Sequence, residues 1–307
     1  MPTTLDGVIE ELEADRRLGP QLSERLVLAG QPPRHGDYEL PEPLAAALAE
    51  QGVERLWSHQ AEGLEAVRRG RNALVTTPTA SGKSLVFHLP VLEEVLAGGS
   101  GRGLFLYPLK ALGQDQRGKF EALAAAAGLG EQATCAIYDG DTPRSERRRI
   151  LAEPPRVVIS NPDMLHLGIL PHWQNWEPFL ATLSWVVLDE LHTYRGIFGC
   201  HFHHVLRRLD RLSRGLGAEP RFIASSATAE NASEFARLLA GDDFHWIGDS
   251  GAPREDRHLL LLRPANSPYT TALDLLVFLI ERGFKTIVFT KARRITELLY
   301  KWLKQQA

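Results

Sequence analysis

With 307 residues, 44% of them apolar and 24% charged, the chain has an ordinary globular composition and enough length for one full α/β core and the start of another. A net charge of −3 excludes general affinity for polyanions, so nucleic acid would have to be met by local patches and backbone amides. Two distant cysteines give no disulfide framework, and neither a charged-then-apolar leader nor a membrane-length apolar run is read, so a cytoplasmic location is expected.

Residues 1–43 read as an accessory arm. Leu5–Leu18 and Leu22–Leu28 are amphipathic helix candidates, and a Pro-rich stretch runs from Gln31 to Pro43. From Leu44 to about Ile247, strand-like apolar runs alternate with helical spacing, which predicts a doubly wound parallel α/β sheet over 44–248. Asn72–Thr76 reads as a buried parallel strand and Leu85–Leu96 as a helix. Between them lies Thr77-Pro78-Thr79-Ala80-Ser81-Gly82-Lys83-Ser84. A strand, a loop of small residues and a helix point backbone N–H groups and a helix dipole at a polyanion. Lys83 would then reach the β and γ phosphates, and the Ser84 hydroxyl would bind Mg²⁺. The strict phosphate-loop pattern has Gly where Thr77 stands, so a surface turn with a chance Gly-Lys-Ser is the competing reading of this run alone.

Ala122–Ala127 reads as helix. The arginines at 144, 147, 148 and 149, and those at 207, 208, 211 and 214 along a helix from Cys200, form two basic runs that bind phosphate or simply face solvent. Leu183–Leu188 reads as a second buried strand, ending in Asp189-Glu190. Carboxylates at the C-terminal end of a parallel strand face the ligand crevice of a doubly wound sheet. There Asp189 would hold Mg²⁺ and Glu190 would orient and deprotonate water; a solvated helix start is the alternative. His201, His203 and His204 have no cysteine or acidic partner at ligand spacing beyond Cys200 and read as a partly exposed helix start rather than a metal site. Arg221–Ala224 predicts a third strand, leading into Ser225-Ser226-Ala227-Thr228 and a helix from about Ala232. Hydroxyls in that run would sense the γ-phosphate, or serve as N-caps. Residues 249–257 read as a linker. Beyond it come a strand at His258–Leu262, a helix at Thr270–Glu281, a strand at Thr286–Thr290 and a helix at Ala292–Gln305.

The motifs in this order resemble those of superfamily-two DEAD/DEAH-type helicases. Leu56-Trp57-Ser58-His59-Gln60 resembles the upstream glutamine motif, which implies that Gln60 reads adenine. The resemblance makes Thr77, Thr79, Ala80, Ser81, Gly82, Lys83 and Ser84 the ATP-binding loop, and has Ser226 and Thr228, with His192, relay nucleotide state. Tyr107–Leu112 with Gln114-Asp115-Gln116, and Ser160–His166, are similar to nucleic-acid-contacting motifs. They imply contacts from Pro108, Lys110, Ala111, Gln114, Asn161, Pro162 and Asp163. Ile287–Arg293 looks like the motif opening a second motor domain, with Thr290 as its contact. Tyr138–Pro143 and His192–Gly199 narrow the resemblance to the MrfA-type DNA helicases, which carry a C-terminal four-cysteine domain.

That resemblance implies a RecA-like ATP-binding domain with Mg²⁺ over 44–248, the start of a second RecA-like domain at 258–307, 3′-to-5′ movement on DNA with a single-stranded tail, and DNA repair. No Gln-x-x-Gly-Arg-x-Gly-Arg-like run occurs, and Cys135 and Cys200 are the only cysteines. The chain is therefore expected to be the N-terminal part of a longer helicase, with the rest of its second motor domain elsewhere in the same protein. A nucleotide- and DNA-binding module without turnover, and an RNA helicase of the same architecture, are the alternative readings. The second piece should have open strand edges and marginal stability.

Overall fold

The computed structural model describes residues 4–227, 230–265 and 267–306. Its strands, in chain order, are β1 Leu22–Leu28, β2 Ala73–Val75, β3 Arg102–Leu106, β4 Cys135–Ile137, β5 Val157–Ser160, β6 Leu183–Leu188, β7 Arg221–Ser225, β8 His245–Ile247 and β9 Arg257–Leu262. The chain divides into two compact units, residues 32–253 and residues 1–31 with 254–307.

In the larger unit, seven parallel strands lie in the order β4-β5-β3-β6-β7-β2-β8. The middles of its central strands are apolar and buried, as strands covered on both faces must be, with polar residues such as Arg102, Ser160, Arg221 and Ser225 at strand ends. Because successive side chains alternate faces, the same strands feed two cores. Val75, Phe105, Ile159, Val187 and Ile223 enter the layer with helices Ser58–Arg68, Leu85–Leu96 and Lys110–Ala126. Leu74, Leu104, Val158, Val186, Leu188 and Phe222 enter the opposite layer, against Trp173–Leu180, Gly196–Gly215 and Ala232–Ala240. Residues 32–43, read as part of an arm, belong to this unit: Tyr38 packs on the first core and its hydroxyl donates to Glu93.

The smaller unit joins both ends of the described chain. β1 and β9 pair antiparallel, Leu26 opposite Leu259, and helices Leu5–Ala14 and Pro268–Glu281 contribute Val8, Leu12 and Phe278 to a small core with Leu18. Leu22–Leu28 is thus a strand, not the expected helix. Leu22 and Leu26 fit helical spacing, but seven residues make a poor isolated helix and the long-range partner β9 supplies a ladder instead. Thr286–Thr290 is no strand either: among the described residues it has no ladder partner, and Ile287 and Phe289 are 78% and 90% exposed. The Thr270 and Ala292 helices are found at Pro268–Glu281 and Arg293–Gln306. The 249–257 stretch is divided at Pro253/Arg254 between the two units.

Candidate functional site

Strands β6, β7 and β2 are neighbours, so the segments leaving their C-terminal ends meet on one edge of the sheet. After β2, Thr77 is fully buried and its hydroxyl bonds that of Ser81 at 2.7 Å, closing the loop across its base. A threonine in the glycine position of the strict pattern therefore has a structural task here. Ala80 (φ 62°) and Gly82 (φ 80°) both take left-handed backbone, which costs roughly 1–2 kcal/mol for a residue with a Cβ. A Cβ on Gly82 would also lie 2.5 Å from Gln60 Nε2. Helix Leu85–Leu96 starts from Ser84 with no side-chain cap; the N–H groups of Leu85, Val86 and Phe87 go to the carbonyls of Gly82, Lys83 and Ser84. The Lys83 ammonium donates to the carbonyls of Thr77 (2.7 Å) and Pro78 (3.1 Å). Burial lowers its pKa, opposed by the charges of Glu190 and Asp189.

Helix Ser58–Arg68 braces this loop from outside. Gln60 accepts the Trp57 N–H on Oε1 and donates through Nε2 to the Gly82 carbonyl, both at 2.9 Å. Both ends of its amide are committed to main chain, though each retains one further hydrogen-bonding capacity. Next to it, fully buried His59 contacts the Ser81 carbonyl through Nε2 at 2.9 Å and accepts the Gly251 N–H on Nδ1 at 3.1 Å.

At the end of β6, the Asp189 carboxylate accepts from the Ser225 hydroxyl, delivered by β7. Burial raises the Asp189 pKa, with the Ser225 bond the largest opposing influence. Glu190 sits at φ 51°, ψ 51°, a left-handed conformation of the kind that persists where surrounding structure over-determines it. Its amide faces Ser225 Oγ at 3.4 Å and its carbonyl accepts from Thr193 Oγ1 at 2.8 Å. His192 Nδ1 stands 3.3 Å from Glu190 Oε2 and 3.4 Å from the Ala227 amide nitrogen. One ring nitrogen therefore faces both the carboxylate motif and the segment after β7. Ser226 N donates to Val75 O, tying that segment to β2. Thr228 lies outside the described residues.

Pro108, Lys110, Ala111 and Gln114 follow β3, and Asn161, Pro162 and Asp163 follow β5, on the same edge of the sheet. Lys110, Ala111, Gln114 and Asp163 are exposed; Pro162 is buried. Asn161 caps a short helix through the Met164 N–H, and Lys110 pairs with Asp141 at 2.5 Å. Thr290 belongs to the smaller unit, its hydroxyl bonding Thr296 at 2.6 Å. The basic runs are partly occupied internally: Arg147 donates to the Thr142 and Asp139 carbonyls, Arg149 pairs with Glu146 and Arg214 with Asp210. His59 has no role in the sequence reading, and Ser225 enters there only as one hydroxyl of its run, not as the partner of Asp189; the partners of both are far away in the chain.

A seven-stranded parallel sheet covered on both faces, with a small-residue loop, an acidic pair and a hydroxyl run on one edge, defines a RecA-like domain of the helicase kind. The chain matches the DEAD/DEAH box helicase family over residues 57–235, more than half its length, and belongs to that family. It is 35% identical over 275 residues to the uncharacterized ATP-dependent helicase YprA of Bacillus subtilis, covering 87% of this chain and 36% of YprA. It is 33% identical over 315 residues to the ATP-dependent helicase HRQ1 of Saccharomyces cerevisiae, covering 97% of this chain and 29% of HRQ1. The crystal structure of the DUF1998 helicase MrfA bound to DNA matches with a TM-score of 0.92 at 32% identity, over 98% of this chain and 43% of MrfA. MrfA bound to DNA and AMPPNP matches with 0.91. The chain thus spans less than half the length of these relatives. Among the described residues no helix is long and apolar enough to cross a membrane.

Proposed function

We propose that this chain holds the ATP site and part of the DNA track of an ATP-dependent DNA helicase or translocase. The observation carrying this reading is the convergence of Lys83, in its loop after β2, with Asp189 and Glu190 after β6, close enough for their charges to act on one another. The loop N–H groups and Lys83 bind the β and γ phosphates, and Gln60 meets the adenine with its remaining hydrogen-bonding capacity. Glu190 orients the attacking water and takes its proton. Ser84 and Asp189 would hold Mg²⁺, which when bound neutralises charge on the phosphates; both offer oxygen donors, and Asp189 has one carboxylate oxygen beyond that engaged by Ser225. His192, Ser226 and Thr228 pass nucleotide state toward the nucleic-acid edge.

Pro108, Lys110, Ala111, Gln114, Asn161, Pro162 and Asp163 form the DNA-facing edge of the larger unit, and Thr290, in the smaller unit, is a separate candidate contact. Backbone-tracking contacts of this kind do not read bases, so the choice of DNA rests on the naming of MrfA as bound to DNA. Movement 3′ to 5′ from a single-stranded tail, a role in repair and a cytoplasmic setting complete the reading. The residues 1–307 hold no arginine pair of the Gln-x-x-Gly-Arg-x-Gly-Arg kind, so rapid turnover needs those arginines from a second motor domain. The test is ATP turnover by a protein that includes that domain, with single-stranded DNA or RNA added. Stimulation by DNA, lost in Glu190→Gln while ATP stays bound, supports the reading. Equal stimulation by RNA removes the DNA assignment, and turnover surviving in Glu190→Gln removes Glu190 as base.

A further inference from the structure

His59 is fully buried on the first turn of helix Ser58–Arg68, and both of its ring nitrogens are used. Because Nδ1 accepts the Gly251 N–H, the ring proton sits on Nε2 and is donated to the Ser81 carbonyl. Gln60, the next residue, donates to the following carbonyl, that of Gly82. Two consecutive carbonyls of the loop are therefore drawn toward one helix. In a trans peptide the C=O and the next N–H point in opposite directions, and no cis bond occurs among the described residues. Drawing the Ser81 and Gly82 carbonyls outward therefore turns the N–H groups of Gly82 and Lys83 to the opposite side of the loop.

Gly251 is itself fixed. Its carbonyl accepts the Arg34 N–H at 2.8 Å, and the Arg34 carbonyl accepts the Ser58 N–H at 2.8 Å. A Cβ on Gly251 would stand 2.3 Å from Arg34 O and 2.6 Å from Ser58 N, so the backbone packs against the helix start with no slack. The imidazole is clamped on one side so that it can hold the loop on the other.

We propose that His59 is a positioning residue for the phosphate loop: its Nε2–H, anchored through Gly251, orients the Ser81–Gly82 peptide so that the loop amides face a bound polyphosphate. Its neutral form is favoured, because burial and the nearby Lys83 charge both resist protonation. This rests on the reading of residues 77–84 as a phosphate loop, and the test separates the two.

Bind ADP to the chain and to His59→Gln, His59→Asn, His59→Ala and Lys83→Ala, recording each melting temperature. A Gln amide nitrogen approximates Nε2 and keeps the Ser81 contact, whereas Asn approximates Nδ1 and loses it. His59→Asn and His59→Ala should weaken ADP binding about tenfold, the worth of one hydrogen bond of about 1.4 kcal/mol, with His59→Gln restoring most of it. If His59→Gln and His59→Asn lose affinity equally, in step with melting temperature, the ring is only a core filler and the inference falls. Unaltered affinity in every His59 variant, beside loss in Lys83→Ala, overturns the inference and leaves the loop reading standing. Full binding by Lys83→Ala overturns the loop reading and the inference with it.

Discussion

At the scale of single residues, the site is built from groups whose ordinary preferences are overridden by their neighbours. Gly82 combines a left-handed φ of 80° with Gln60 Nε2 only 2.5 Å from where a Cβ would stand. Gly82→Ala should fold with a loss of about 1–2 kcal/mol, since the Gln60 amide can retreat, yet lose nucleotide affinity as the Gln60 brace is displaced. Thermal melting beside a nucleotide titration checks both halves, and unchanged affinity would detach the brace from function. Ser225 donates to half-buried Asp189, and hydrogen bonds to charged groups contribute about 1.5–3 kcal/mol. Ser225→Ala should lower stability by that order in denaturant unfolding; no shift would mean the carboxylate finds another donor. Burial lowers the His59 pKa from 6.5 to about 4. Between those values the unfolded chain binds the extra proton, so this contribution to stability is present above pH 6.5 and is lost as pH falls toward 4. His59→Gln should flatten the decline in melting temperature over that interval; an unchanged slope would count against it.

At the scale of elements, legibility followed the distance over which each was decided. Thr77–Ser84 and Asp189-Glu190 could be read because contiguous residues carry their chemistry and apolar strands precede each. Their supports could not: Ser225 reaches Asp189 across 36 residues, and Gly251 reaches His59 across 192. The same holds for Leu22–Leu28, whose local pattern suits a helix and whose strand state is decided by β9 at the other end of the sequence. Thr286–Thr290 shows the converse: strand-like residues with no partner among those described. Leu26→Pro places a proline in the middle of β1, opposite Leu259, where its fixed backbone distorts the strand, and should open the smaller unit to proteolysis while leaving nucleotide binding by residues 32–253 intact. Persistent protection of 254–307 in that variant would contradict the pairing.

At the scale of the whole molecule, the sheet order brings segments from β2, β6 and β7 to one edge, with those from β3 and β5 alongside. The doubly wound fold was legible because largely apolar strands alternating with helices admit few other arrangements. The division into units was less so, because the smaller one is assembled from residues 1–31 and 254–307 and no local composition announces that union. The central claim is that the loop after β2 is a nucleotide site. Titrating ATP with Mg²⁺ into the 307-residue chain, beside Lys83→Ala, tests it most directly. Saturable binding by the wild type that weakens tenfold or more in Lys83→Ala, a loss of at least about 1.4 kcal/mol, is the predicted result. Equal binding by both, or none by the wild type, would contradict it.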